Sequence, residues 1–263
     1  MSTSINALEG RHALVTGGAR GIGLACARAL QQRGAALTLL GRDQAALDQA
    51  VATLGQQGVV RAVVADIADE SSVRAAFEQA AQDGGTIDIL VNNAGQAVSQ
   101  RFERTDAALW QSMLAVNLTG TYHCTQAVLP SMMAGGWGRI INIASTAGLI
   151  GYPYVTAYCA AKHGVVGLTR ALALEVARKG ITVNAVCPGF TETDIVRDAV
   201  NNIVSKTGRT VDAARDELAA RNPQGRLVQP EEVAETVAWL ALPSSSSING
   251  QSIAVDGGEV MPG

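Results

Sequence analysis

Histidine and cysteine are scarce in this chain of 263 residues, three and four respectively. Cys26, Cys124, Cys159 and Cys187 lie far apart and form no Cys-x-x-Cys pair, so no redox or zinc motif is present. They are expected to be small buried apolar side chains. The three histidines are scattered too, and no metal site is expected. No apolar run reaches the ~18–20 residues of a membrane-spanning helix. No run of like charge stands out among 20 Lys+Arg and 23 Asp+Glu, net −3. That argues against a nucleic-acid or anionic-membrane partner. Residues Met1 to Arg11 lack the basic-then-apolar pattern of a signal peptide, so a cytoplasmic location is expected, with residues 1–7 a flexible N-terminus. Charged residues are only 16% and hydrophobic ones 48%, which excludes disorder and suits one substantial core.

What is present is an alternation. Strand-like apolar runs fall at His12–Thr16, Ala36–Leu40, Val59–Ala65, Ile87–Asn92, Arg139–Ala144, Thr182–Val186 and Ser252–Val255. Most are continuous, as in strands covered on both faces. Helical spacing occupies Gly21–Gln32, Gln44–Leu54, Ser71–Gln82, Ala107–Met133, Thr156–Arg178 and Pro230–Leu240. The order predicts a single α/β domain over residues 8–263, a doubly wound parallel sheet with helices on both faces. Phe190 to Val228 breaks the alternation with two short amphipathic candidates, near Asp194–Ser205 and Val211–Arg221. An excursion of that length is expected to form a helical lid over a site, about 190–228.

The first strand runs into Thr16-Gly17-Gly18-Ala19-Arg20-Gly21-Ile22-Gly23 and a helix. Glycines there permit a tight turn and close approach of backbone to a pyrophosphate, and the helix N-terminus favours the anion. No Gly-Lys-Ser/Thr follows, which excludes a P-loop. After the second strand stands Leu40-Gly41-Arg42, with glycine where an NAD site would place a ribose-binding carboxylate. Arg20 and Arg42 are candidates to clamp a 2′-phosphate, which points to NADP(H) with NAD(H) as the alternative; two ordinary surface arginines is the bland reading. Asp66-Ile67 is placed at the adenine rim.

Tyr158 and Lys162 stand at i and i+4 on one predicted helix, hence on one face. With four tyrosines and three lysines in the chain, such a pair is rare by chance. An ammonium there can depress the phenol and bring it toward acid/base use. Ser145 ends the fifth strand, where its hydroxyl can hold a substrate oxygen or merely cap a turn. Asn117 is a poor helix former inside a long predicted helix. Either residue alone has a bland reading; together they gain weight.

These residues, with Asn92-Asn93-Ala94-Gly95, Pro188-Gly189 and a closing Asp256-Gly257-Gly258, resemble the classical short-chain dehydrogenases/reductases from about Leu8 to Gly258. The resemblance implies a Rossmann-type sheet of seven parallel strands and hydride transfer between a nicotinamide and a carbonyl or alcohol. It implies Tyr158 as proton donor, Ser145 bonded to the same oxygen, Lys162 on the nicotinamide ribose lowering the phenol, and Asn117 holding a relay water. Asn93, Ala94 and Gly95 would line the cofactor, with Pro188, Gly189, Thr191 and Thr193 near the nicotinamide. The look is nearest to 3-oxoacyl-thioester (ketoacyl) reductases, and Val183–Phe190 and Gly225–Val228 carry that likeness. Ala157–Leu168 resembles 3-hydroxybutyrate dehydrogenases equally, but Ala147 stands where those would carry a carboxylate-binding histidine. Gln96, Ala147, Ile150, Tyr152 and Phe190 are the candidate substrate walls, with Ile195, Val196, Val200, Ile203 and Val204 as an apolar lid face.

Expected partners are therefore a small carbonyl or an acyl thioester on coenzyme A or acyl carrier protein. A homotetramer is expected as well, from the resemblance and from surplus apolar residues on the long helices. Two other readings remain open: an NAD-dependent dehydrogenase of a hydroxy acid, sugar or steroid alcohol, and a catalytically silent dinucleotide-binding scaffold.

Overall fold

A computed structural model describes residues 6–261. Most of the expected flexible N-terminus, residues 1–5, lies outside the described residues, as do 262 and 263. Asn6 and Ala7 lie in a turn. Seven parallel strands form one sheet in the order β3-β2-β1-β4-β5-β6-β7. They are β1 (His12–Thr16), β2 (Ala36–Gly41), β3 (Val60–Val64), β4 (Ile89–Asn92), β5 (Gly138–Ile143), β6 (Ile181–Pro188) and β7 (Ser252–Val255). Helices α1 (Gly21–Gln31), α2 (Gln44–Leu54), α3 (Glu70–Gly84), α4 (Ala107–Leu114), α5 (Gly120–Gly135), α6 (Thr156–Val176) and α9 (Pro230–Ala241) connect them, and α7 (Asp194–Thr207) and α8 (Val211–Ala219) form the excursion.

The continuous apolar runs are explained by burial on both faces. On one face Val15, Leu37, Leu39, Ile89, Val91 and Ile141 pack with α1, α2 and α9 residues such as Leu30, Leu47 and Val237. On the other Leu14, Leu40, Leu90, Ile140 and Val183 pack with Phe77, Val128, Met132, Leu172 and Val176 of α3, α5 and α6. Period-two exposure would leave one face wet; here neither is. Cys26, Cys124 and Cys187 are buried, Cys159 is half-buried, and none is paired.

Strand order reverses between β1 and β4, and the carboxyl ends of β1, β2, β4, β5 and β6 open on one edge. That is where α/β sheets bind ligands. The single helix predicted over Ala107–Met133 is instead two α-helices joined by a π-helical turn at Ala115–Thr119. Asn117 sits inside that turn and is 1% exposed. Its side chain bonds the backbone at Gln96 and Met113, and such turns concentrate at functional sites. Among the described residues no helix is long and apolar enough to cross a membrane.

Candidate active site

The glycine turn leaves β1 as soon as pairing ends, with Gly17 N donating to Leu40 O at 2.7 Å. Gly17 and Gly21 are left-handed, φ +62° and +52°. A Cβ on Gly23 would lie 2.2 Å from Gly17 O and 2.5 Å from Asn93 Nδ2, so close packing demands glycine there. Gly18 is pressed against Val15 O and Leu39. Beneath the turn Asn93 Nδ2 donates to Thr16 O and Gly17 O. Thr16 Oγ1 accepts from Asn93 N and Ala94 N, both at 3.0 Å. This knits β1 to the end of β4. The outcome is a backbone turn free of bulky side chains, with Ala19, Arg20 and Ile22 rising from it into the N-terminus of α1. That shape and its partial positive charge fit a dinucleotide pyrophosphate.

At the end of β2 a Cβ on Gly41 would find only ordinary contact, 3.6 Å from Leu47. Packing therefore does not require glycine there. The two arginines do not converge as expected. Arg20 reaches Asp194 at 3.3 Å and Arg42 reaches Asp66 at 3.9 Å. All four groups are exposed, so these ion pairs are weak. Asp66 also accepts from Ala68 N at 3.0 Å. Ile67 is buried against Gly120, where a Cβ would stand 2.6 Å from it.

At the ends of β4, β5 and β6 the other candidates meet. A Cβ on Gly95 would be 2.8 Å from Asn117 Oδ1 and 3.7 Å from Lys162 Nζ. Asn117 Nδ2 donates to Gln96 O at 2.9 Å and Met113 O at 3.0 Å, and Gln96 N donates to Asn117 Oδ1 at 3.1 Å. The side chain is thus committed to holding the Gly95–Gln96 loop, with one Oδ1 lone pair left over. Gln96 itself turns to Ser112. Lys162, 4% exposed, donates to Ile143 O at 2.8 Å and lies 5.6 Å from the Tyr158 ring centroid. Ser145 Oγ accepts from Ala147 N at 3.1 Å and so opens the turn after β5. The turn cap read from the sequence for Ser145 is therefore present.

The expected lowering of Tyr158 by Lys162 is not found. Burial pushes the phenol up to about 12, and the neighbouring Ser145 hydroxyl opposes this. Burial likewise brings Lys162 down to about 8. In both groups loss of water is the largest cause.

Thr191 Oγ1 donates to Gly189 O, and Thr191 bridges Val228, closing the base of the α7–α8 excursion. Thr193 stands at the N-cap of α7 with its Cγ2 3.3 Å from where a Gly21 Cβ would be, so the excursion starts over the glycine turn. The apolar lid face is corrected in part. Val196 and Val200 are buried with Ala214, Leu218 and Leu227, and Ile203 and Val204 pack on them; Ile195 is 44% exposed. The face mainly joins α7 to α8. Ala147 is buried, while Ile150 and half-buried Phe190 remain available as walls. The sequence pattern did not single out the buried chain Thr125–Asn92–Asn142–Thr169, which ties β4 and β5 to α5 and α6. Glu259 was missed as well; it bonds Tyr152.

A dinucleotide turn beside a serine, a tyrosine and a lysine on one sheet edge defines an oxidoreductase of the Rossmann class. A family model described as enoyl-(acyl carrier protein) reductase, a short-chain dehydrogenase/reductase model, matches residues 17–259. The 3-oxoacyl-(acyl-carrier-protein) reductase FabG of Haemophilus influenzae is 39% identical over 95% of this chain and 98% of its own. The D-beta-hydroxybutyrate dehydrogenase of Cupriavidus necator is 39% identical over 96% and 99%. A variant of the actinorhodin polyketide ketoreductase, crystallised with NADPH, superposes with a TM-score of 0.92 at 38% identity, covering 98% of this chain and 99% of that one. This chain belongs to the short-chain dehydrogenases/reductases and acts on carbonyl or CH–OH groups.

Proposed function

We propose that this protein reduces the ketone of a 3-oxoacyl thioester, carried on coenzyme A or acyl carrier protein, with NADP(H). The observation that carries the reaction is the meeting of Ser145, Tyr158 and Lys162 beside Gly95 and Asn117 on the sheet's carboxyl edge. A bound nicotinamide dinucleotide supplies the hydride. The glycine turn would hold its pyrophosphate, Arg20 and Arg42, once released from Asp194 and Asp66, its 2′-phosphate, and Asp66 and Ile67 its adenine edge. Asn93 to Gly95 and Pro188 to Thr193 would line its nicotinamide half.

Ser145 Oγ donates to the substrate oxygen while accepting from Ala147 N, which fixes its direction. Tyr158 Oη holds the proton that this oxygen takes. A phenol raised by burial stays protonated at neutral pH, which suits reduction. Lys162 keeps one donor on Ile143 O and has two more for ribose hydroxyls and for the developing phenolate. Asn117 keeps the Gly95–Gln96 loop in place, and its spare lone pair can hold a relay water.

Relatives named ketoacyl reductases and hydroxybutyrate dehydrogenases match at overlapping identities, 38–43% and 37–39%, so the charge of the walls is what separates the two readings. Ala147 and Ile150 offer no cation to a free carboxylate, and the Arg221 guanidinium 5.4 Å from the Tyr152 ring is opposed by the Glu259 carboxylate bonded to the same side chain. Acetoacetyl thioester should therefore be reduced faster than free acetoacetate, and NADPH should bind more tightly than NADH. Arg42→Asp should reverse the cofactor order, each lost charged hydrogen bond costing about 1.5–3 kcal/mol, roughly tenfold or more in affinity. Faster turnover of free acetoacetate, or a wild-type preference for NADH, would refute the corresponding half of this reading.

A further inference from the structure

Tyr152 closes the turn that Ser145 opens, and its hydroxyl is fully engaged. It donates to Glu259 Oε1 at 2.7 Å and is hydrogen-bonded to Thr146 Oγ1 at 2.8 Å. One phenolic proton serves one acceptor, so the carboxylate takes it and the Thr146 hydroxyl donates in return. Burial raises this phenol well above its ordinary range, which keeps it a donor. Phe190 meets the ring edge-on at 5.9 Å and the Arg221 guanidinium lies 5.4 Å from its centroid, so lid and turn share this side chain.

Glu259 arrives on a rigid arm. Asp256 accepts from Gly258 N at 2.9 Å and from Val260 N at 2.8 Å. Gly257 is left-handed at φ +67°, and a Cβ there would fall 1.9 Å from Asn222 Oδ1. The closing Asp256-Gly257-Gly258 motif therefore has a local task, to present Glu259 to Tyr152. Thr146, the other end of this chain, is 3% exposed and directly follows Ser145. Its carbonyl accepts from Leu149 N and Ile150 N, so fixing Thr146 fixes the turn.

We propose that Glu259, acting through Tyr152 and Thr146, is a positioning residue for Ser145, an inference that rests on Ser145 meeting the substrate oxygen. Its contribution is orientation, and small misplacements of a catalytic group are costly.

The test is steady-state kinetics on one ketone that the enzyme reduces, for Glu259→Ala, Glu259→Gln, Tyr152→Phe and Ser145→Ala. NADPH affinity by fluorescence and the thermal midpoint are measured alongside. Glu259→Ala and Tyr152→Phe should each lower kcat about tenfold or more, with NADPH affinity and midpoint near wild type. Their combination should be no worse than either, since both break one chain. Glu259→Gln, which retains an acceptor, should recover most of kcat. The proposal is overturned if kcat stays within about twofold in both variants while Ser145→Ala is crippled. It is equally overturned if kcat falls only in step with affinity and midpoint, or if Gln fails to rescue. Full turnover in Ser145→Ala would remove the reading of Ser145, and this proposal with it.

Discussion

Tyr158 and Lys162 show how burial sets chemistry one residue at a time. The phenol is pushed up to about 12 and the ammonium down to about 8, both mainly by loss of water. Tyr158→Phe keeps the ring and deletes the proton, so NADPH binding should survive while turnover falls about 10²–10⁴-fold. Near-normal kcat would remove the mechanism. Lys162 also makes stability depend on pH. Its folded value is lowered from 10.5, so between about 8 and 10.5 the unfolded chain binds more protons and stability rises with pH. Below about 8 the cost of the buried charge is fully present. Lys162→Met removes it, so any advantage in thermal midpoint over wild type, measured without cofactor, should shrink from pH 8 to 10.5. A constant difference across that window would contradict it.

Among the elements, the π-helical turn at Ala115–Thr119 and helix α9 show two ways of satisfying a backbone. The turn gives Asn117 backbone partners on both sides, and α6 locks onto it, a Cβ on Gly164 meeting Leu118 at 2.8 Å. Helix α9 starts with Glu232 accepting from Gln229 N at 2.8 Å and forming a two-pronged pair with Arg226. The Arg226 guanidinium and the Gln229 N–H hold this carboxyl down at about 2. Its stabilisation is present above the ordinary value of 4.5 and is lost as pH falls through about 2. Because the side chain is 39% exposed, solvent screening limits it. Glu232→Ala should cost about 0.5–1 kcal/mol in urea denaturation at pH 7 and progressively less toward pH 2. An equal cost at both ends would show that the charge plays no part.

Exposed apolar side chains on the helices that cover the sheet include Tyr122 of α5, Leu174 of α6, 83% exposed, and Trp239 of α9. β7 is an edge strand with an unpaired side. Among the apolar residues of the two long predicted helices, Val128, Val165, Val166 and Leu172 are buried and form the stripe that covers the sheet, while Leu174 is exposed. What remains suits contacts between copies, and we expect a homotetramer with two-fold axes. Light scattering at micromolar concentration should give four times the 27.1 kDa chain mass. A monomeric mass would refute it.

The alternation of strands and helices was legible because a parallel sheet buried on both faces writes continuous apolar runs, and β1, β7 and α2 match to the residue. The glycine turn and the Tyr158/Lys162 pair were legible because their spacing along the chain is their spacing in space. Sequence alone therefore determined the fold class and the chemical types at the site. Only tertiary structure decided how they are held. Asn117 stands in a π-turn, and its amide finds partners on Gln96 and Met113. Arg20 and Arg42 part toward separate carboxylates, a pairing no local pattern encodes. Glu259 reaches Tyr152 across 107 positions. Long-range contacts between polar side chains leave no periodic trace in a sequence, and burial, which sets the protons of Tyr158 and Lys162, exists only once the chain has closed around them.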